Sequence, residues 1–534
     1  VLRAAADFMQ LAWGLRALRA FHPHSDLEGA IRDQFLHRET HFLRLLREAV
    51  YNNPRNPLYV LLREARCEIA DVEEMVRTKG LEPSLEILRK AGVWVSQAEF
   101  KGDIPILRSG VELRCSPGDF VNPQVSSAWN TATSGTTGTP ATVPVSVASR
   151  AHFECHQALA YEEFGVRERH HLSLHAILPA PYGVTRTIWH DLRGYRVQHW
   201  YAIPGSRKES PFYRAATRLL LAELRMMGVY TPPLSFLPHD DFSPVARDIA
   251  EARSRGKLSF ISGPASSCTR VASAAIDRHL DISGARFFTM GEGLSPAKSD
   301  VIRAAGAESY ACYWANELGL IGFGCPHCEG QNTVHLFRDS LALVSYRKFA
   351  PSVGAEVSSL LFTTLLPSCP LFFINMELGD HGTIEKAECN CRFSRLGLDT
   401  IISEIFSFTK VTSFGTALPA ADFVRILESV LPARFGGAPS DYQLVEQEQG
   451  SDSRLVLRVN PRLGEVPVEK IRECFLDEVK KMFGGSLTVS MWSHAGVVRV
   501  VAAPPIAGRT GKVLPIRVMG RDVVRNGGNG GHAT

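Results

Sequence analysis

Eight consecutive residues, Thr133-Ser134-Gly135-Thr136-Thr137-Gly138-Thr139-Pro140, set two glycines among five hydroxyl side chains. Glycine lets the backbone approach a ligand closely, and successive N–H and O–H groups crowd donors into a small volume, which is what phosphate oxygens require. No Lys-Ser or Lys-Thr follows the last glycine, so this is not a Walker loop. On composition alone, a flexible Ser/Thr/Gly turn accounts for the stretch as well as phosphate binding does. A second constellation is formed by Cys325-Pro-His-Cys328, His335 and Cys389-Asn-Cys391. Two close cysteine pairs on separate turns can converge on one tetrahedral site, and thiolates suit zinc in a closed structural centre. The alternative is a set of unpaired buried thiols.

Further chemistry-bearing residues lie along the chain in an informative order. The octapeptide resembles the phosphate-binding loop of the adenylate-forming enzymes. Gly291-Glu292-Gly293 resembles the turn that flanks adenine in that superfamily, and Tyr313-Trp314-Ala315-Asn316-Glu317 resembles its aromatic-x-x-polar-Glu motif. Leu378-Gly379-Asp380 matches the Gly-Asp that follows, and Gly508-Arg509-Thr510-Gly511-Lys512 resembles the C-terminal loop with the catalytic lysine. Each match alone is weak, since a Gly-Asp is often a turn and a lysine often a solvated one; five in the family's order, from Thr133 to Lys512, are not chance.

The resemblance implies ATP-dependent activation of a small-molecule carboxylic acid through an acyl-adenylate, with pyrophosphate and then AMP leaving. It makes Lys512, Glu317 and Thr136 catalytic. Thr133, Ser134, Gly135, Thr137, Gly138, Gly291, Glu292, Gly293, Tyr313 and Asn316 join them around ATP. Glu317 would hold Mg2+, and Asp380 would accept both ribose hydroxyls, a task for an ionised acid because it offers only acceptors. The helical segment Phe42 to Gly110 resembles the lead-in of the phenylacetate-CoA ligase branch, which points to coenzyme A as the acyl acceptor and to a structural Zn2+ on the cysteine pairs. His335 then competes with Cys325 for a ligand place. Nothing in the chain reads as a coenzyme A fingerprint, so an amine, a carrier protein or a protein thiol stays open as acceptor, as does a non-catalytic nucleotide-binding scaffold.

Four positions depart from the pattern. Ala141 and Thr139 stand where lysines often flank the loop's proline, which removes one phosphate-facing cation. Ser407 stands where the inter-domain hinge usually has an acid, and Trp314 follows Tyr313 where a glycine is usual. Tyr182, Trp189 and His190 fall in the segment where the family builds its acid pocket, although aromatic residues in such a run are more often core.

The elements that must position these residues follow from periodicity. Up to residue 110, apolar positions such as Phe42, Leu45, Leu46 and Val50 recur at three- and four-residue steps, the mark of helices. From 111 to 404, β-rich runs (Leu172–Leu178, Leu258–Ile261, Phe287–Met290, Leu360–Leu365) alternate with helical ones such as Pro211–Met227, which predicts an α/β core. Residues 405–525 read as a small α+β lid domain, with strands at Arg454–Val459, Leu487–Val489 and Val497–Val501 and a helix opened by Pro467. The Gly/Asn-rich residues 526–534 read as a disordered tail.

Composition excludes other classes. A chain of 534 residues exceeds one ordinary core, and a formal charge of +4 provides no basic stripe for nucleic acid. No apolar run reaches the roughly 18 residues of a membrane span. Eleven cysteines, an odd number mostly scattered singly, fit a reducing cytoplasm better than a secreted disulfide framework.

Overall fold

In the computed structural model the alternating β and helical runs build one large mixed sheet, and a smaller sheet follows near the C-terminus, giving an α/β chain of two separately cored parts. The structure describes residues 2–519 except 22–23, 109, 133–140, 204–209, 239–240, 329–331, 351–354, 408–410, 414–415, 419, 450–451, 483–488, 490–491, 493–496 and 509–510. The tail 526–534 lies outside them. No helix among the described residues is long and apolar enough to cross a membrane.

The large sheet has two halves. Leu234–Phe236, His199–Ile203, His170–Ala176, Ser259–Pro264, Arg286–Met290 and Glu308–Ala315 lie side by side and run parallel. Every residue of Ser259–Pro264 is buried, as befits a strand covered by helices on both faces. Beyond Glu308–Ala315 the sheet turns antiparallel, through Gly319–Phe323, Val334–Leu336, Thr400–Ser407, Met376–Lys386, Ala355–Thr364 and Leu341–Ala350. Glu308–Ala315 therefore has a parallel neighbour on one side and an antiparallel one on the other.

Helices of the lead-in cover the antiparallel half. Asn56 caps Pro57–Glu64 by accepting the Leu58 N–H, with proline at the first helical position where no donor is needed. Leu81, Leu85 and Leu88 form the buried face of Leu81–Lys90, and Phe42, Leu45, Leu46 and Val50 join sheet residues Phe362, Phe372 and Phe373 in one core. Each such side chain contributes about 1.5–3 kcal/mol on burial. A two-residue strand, Val95–Ser96, pairs parallel with Met376–Lys386, so the lead-in is hydrogen-bonded to the strand that carries Asp380.

The smaller sheet orders Val498–Ala502, Asp452–Val459, Tyr442–Gln449 and Ile516–Met519. Val468–Lys480 packs Ile471, Phe475 and Val479 onto it, beside Phe423 and Trp492. Pro467 precedes this helix as the sequence suggests. The strand expected at Leu487–Val489 does not appear: 487 and 488 lie outside the described residues, and Val489 is helical, its side chain buried in the small core.

Candidate active site

In parallel sheets, ligands collect outside the carboxyl ends of the strands, where helices and loops diverge. Glu308–Ala315 ends at that edge. Its Tyr313 hydroxyl donates to Asp380 Oδ2 at 2.5 Å, joining the aromatic motif to the Gly-Asp motif 67 residues on. Burial and the adjoining carboxylate push the Tyr313 phenol up, so it remains a donor. Burial also pushes the Asp380 carboxyl up to about 6, Glu317 adding to the effect against hydrogen bonds from Tyr313 and Ser407. Asp380 stands directly opposite Ser407 in the sheet register, so the position that departs from the hinge pattern faces this carboxylate itself. Glu317 is buried, with Oε1 accepting from Gln97 Nε2 at 3.0 Å; Asn316 accepts from the Trp314 indole N–H at 3.2 Å.

The C-terminal loop reaches the same edge from the smaller part of the chain. Gly508 N–H donates to Lys512 O at 2.7 Å, and Gly511 N–H to Gly508 O at 2.9 Å, which folds the loop back on itself. Three contacts then seat it on three parallel strands or the residues just beyond them. Gly511, at φ +76°, lies so close to Ile203 that a Cβ would meet its Cγ2 at 2.2 Å. Val513 N–H donates to Ser266 Oγ at 3.2 Å, two residues past Ser259–Pro264. Lys512 rests on Gly291, immediately after Arg286–Met290; a Cβ there would lie 2.5 Å from the lysine Nζ. Both glycines are thus required by close approach as well as by positive φ. Burial lowers the Lys512 ammonium's pKa, and Glu292 partly offsets this.

Glu292 is committed to the protein. Its Oε1 accepts from Ser266 N–H at 2.9 Å and Oγ at 2.6 Å, and its Oε2 lies 3.7 Å from Lys298 Nζ. Lys298 also pairs with Glu428 of the smaller part at 3.0 Å, and Ser295 donates to the same carboxylate. All three charged side chains are buried. Burial opposes the lysine's charge, but Glu428 and Glu292 outweigh it and hold its pKa up. Nothing local marks Ser266, Lys298 or Glu428 in the sequence, because Lys298 meets Glu428 across 130 residues and Ser266 meets Val513 across 247.

Thr133 to Pro140, with Thr136 among them, lie outside the described residues. Their flanks are antiparallel partners, Trp129–Ala132 with Thr142–Val145, and Ser146 then caps Val147–Glu163 by accepting the Ser149 N–H. Of the acid-pocket candidates, Trp189 is core, packed edge-on against Phe21 and 1% exposed. His190 accepts from Arg186 at 2.8 Å, and Arg186 forks onto Glu154. Tyr182 is partly exposed and faces His175 and Arg150.

The cysteine pairs converge with His335, which stands on Val334–Leu336, two strands from Glu308–Ala315 in the sheet order. Cys328 and Cys389 sulfurs are 3.4 Å apart, Cys325 and Cys389 3.8 Å, and His335 Nε2 lies 3.2–3.4 Å from Cys328, Cys389 and Cys391. A tetrahedral zinc with arms of about 2.0–2.3 Å has ligand–ligand edges of roughly 3.3–3.8 Å, so these donors fit such an ion without rearrangement. The His335 Nδ1–H donates to Leu398 O at 2.9 Å, fixing the tautomer that turns Nε2 to the cluster. Cys325 and His335 stand together in a compact quartet with Cys328 and Cys389, and Cys391 lies beside it.

No family model and no curated protein matches this chain. Solved structures with a similar course include a 2-hydroxyisobutyryl-CoA ligase bound to its acyl-AMP and CoA, 17% identical over 94% of this chain and 91% of that one, with a TM-score of 0.43. An anthranilate CoA ligase with anthranoyl-AMP is 11% identical over 85% and 78%, TM-score 0.41. An O-succinylbenzoate coenzyme A synthetase from Bacillus subtilis, with ATP and magnesium, is 12% identical over 73% and 69%, TM-score 0.38.

Proposed function

We propose that the chain is an adenylate-forming ligase that activates a carboxylic acid with ATP and passes the acyl group to a thiol, coenzyme A being the favoured acceptor, in the manner of the phenylacetate-CoA ligase branch. The observation that carries this reading is the seating of the Gly508–Val513 loop on three parallel strand ends, with Lys512 on the Gly291 turn. A remote lysine set on the Gly291 turn, one strand over from the Cys312–Tyr313 end of Glu308–Ala315, suits a charge that must follow the reacting oxygens.

In this reading Asp380 accepts the ribose hydroxyls while Tyr313 holds its carboxylate in place. The substrate carboxylate attacks the α-phosphorus, the bond to pyrophosphate breaks, and Lys512 with the donors of Thr133–Gly138 stabilises charge on the phosphate oxygens. Glu317 would hold the magnesium ion that neutralises the triphosphate. The acceptor thiol then displaces AMP from the acyl carbon. The Cys325, Cys328, His335, Cys389 and Cys391 cluster would hold one zinc with a structural role, since it lies apart from these groups.

Carboxylate-dependent exchange of labelled pyrophosphate into ATP, over a panel of acids, tests the reading. Exchange with at least one acid is expected. Tight ATP binding with no exchange across the panel would identify a nucleotide-binding scaffold instead.

A further inference from the structure

Among the described residues four Lys or Arg side chains are almost fully buried: Arg38, Arg150, Arg186 and Lys298. Arg38 pairs with Glu82 at 2.5 Å, Arg186 with Glu154 at 2.5 Å and Lys298 with Glu428 at 3.0 Å. Arg150 is 7% exposed, and among the described residues it has no carboxylate within ion-pair distance and its Nε has no hydrogen-bond partner. The acid one turn along its helix, Glu154, has both oxygens on Arg186 Nη1. A guanidinium does not shed its proton, so the charge persists, favoured electrostatically by Glu154 but without an acid of its own, since Arg186 already holds that carboxylate. A buried unpaired ion of this kind is strongly unfavourable unless a partner arrives.

The position of Arg150 says which partner. Its guanidinium carbon lies 4.6 Å from the centroid of Trp314 and 5.7 Å from that of Tyr182. Both rings are partly exposed. Trp314 adjoins Tyr313, yet points to the opposite face of its strand, toward Phe153 at 5.7 Å between rings. Arg150 therefore sits across the strand from Asp380, beside the aromatic segment rather than with the nucleotide group. His175, buried and edge-on to Tyr182 at 4.9 Å, gives that neighbourhood a polar lining unsuited to a long alkyl chain.

Building on the adenylation reading, we infer that the acid activated here carries a second anionic group, a carboxylate or similar oxyanion, and that Arg150 receives it between Trp314 and Tyr182. The planar fork of an arginine held on an aromatic face matches a carboxylate with two parallel N–H donors. Arg150 is in this account a specificity-determining residue.

Pairs of acids matched in shape test this: aromatic and short aliphatic dicarboxylates against their mono-amides, in pyrophosphate exchange and in thermal shift with the acid alone. The wild type should favour the dicarboxylates by about 100-fold in kcat/KM, the scale of losing one buried charge-assisted contact. Arg150→Leu should bring the ratio near one and abolish the dicarboxylate-induced rise in Tm, and Arg150→Lys should fall between. Because leucine replaces an unpaired buried cation, the leucine variant should fold; should it not, the wild-type ratio and the lysine variant still decide. Equal use of amides and dicarboxylates by the wild type would overturn the inference and leave adenylation standing. A uniform loss for all acids with weakened ATP binding in Arg150→Leu would overturn it too, making Arg150 a phosphate ligand. No exchange with any acid would remove the adenylation reading, and the inference with it.

Discussion

The cysteine–histidine cluster and the Lys512 site are both built from residues remote in sequence, but they are assembled differently. The cluster belongs wholly to the large part of the chain, and its donors stand on strands and turns fixed by sheet hydrogen bonds, such as His335 opposite Ile401. The Lys512 site joins two separately cored parts through a loop contact and one buried ion-pair group. The first geometry is set once folding is complete, whereas the second persists only while the smaller part stays seated. Stability should therefore answer to the cluster, and chemistry to the seating.

Metal removal gives the largest effect. Structural zinc sites return about 10–16 kcal/mol of apparent binding free energy, so chelation or Cys389→Ser should lower Tm sharply, and purified protein should contain one zinc per chain. Metal analysis with only traces of zinc and a normal melt for Cys389→Ser would dissolve the contrast. Next comes Lys512→Ala, expected to slow adenylation by roughly 10²- to 10³-fold, the cost of one transition-state charge contact, while leaving Tm unchanged. Because the resemblance implies that the lid swings away after the first step, consumption of a chemically prepared acyl-adenylate should stay near the wild-type rate. Equal loss in both half-reactions would make the lysine structural.

Glu428→Gln probes the seating without touching the reacting atoms. It leaves Lys298 buried with the 3.7 Å contact to Glu292 and a hydrogen bond to Gly293 O at 3.3 Å, a loss of about 1–3 kcal/mol that disfavours the closed arrangement. Adenylation should fall more than the second half-reaction, and an unchanged ratio of the two would show that this ion pair does not govern closure. The smallest effect is one of pH. In the proposed reading Asp380 must be ionised to accept two ribose hydroxyls, and its carboxyl is raised to about 6, so nucleotide affinity should decline as pH falls through that value. For stability the sign reverses: with the folded pKa above the unfolded one, protonation favours the fold, a contribution present below about pH 4 and lost as pH rises through about 6. Titration of nucleotide binding from pH 5 to 8 in wild type and Asp380→Asn checks this, since the asparagine variant should show no such step.

The sequence carried the α/β alternation well because buried parallel strands are short apolar runs bounded by turns, as at Arg286–Met290 and Ser259–Pro264. It carried the motif residues that share a strand or a turn, such as Tyr313 with Glu317, and the pairing of Asp380 with them through the family order. It did not carry Lys298–Glu428 or Gln97–Glu317, since an ion pair or hydrogen bond across more than a hundred residues leaves no local spacing. Trp189 follows the commoner expectation for an aromatic in such a run: the core claims it, where its large apolar area is worth most. Arg150 was invisible because an arginine near a helix start reads as a surface residue.

The strand Glu308–Ala315 has one further consequence. Where it meets Gly319–Phe323 the register shifts between Tyr313 and Trp314, with Ile321 as the extra residue. Successive side chains on a strand face opposite ways, so these two neighbours serve separate compartments, one toward Asp380 and the other toward Arg150. A one-residue deletion upstream in this strand would exchange their contents, presenting indole to the Asp380 side and phenol to the Arg150 side. The strand thus works as a reading frame: substitutions at Trp314 alter the Arg150 compartment while the Asp380 side is left in phase, but insertions and deletions cannot alter one without scrambling both.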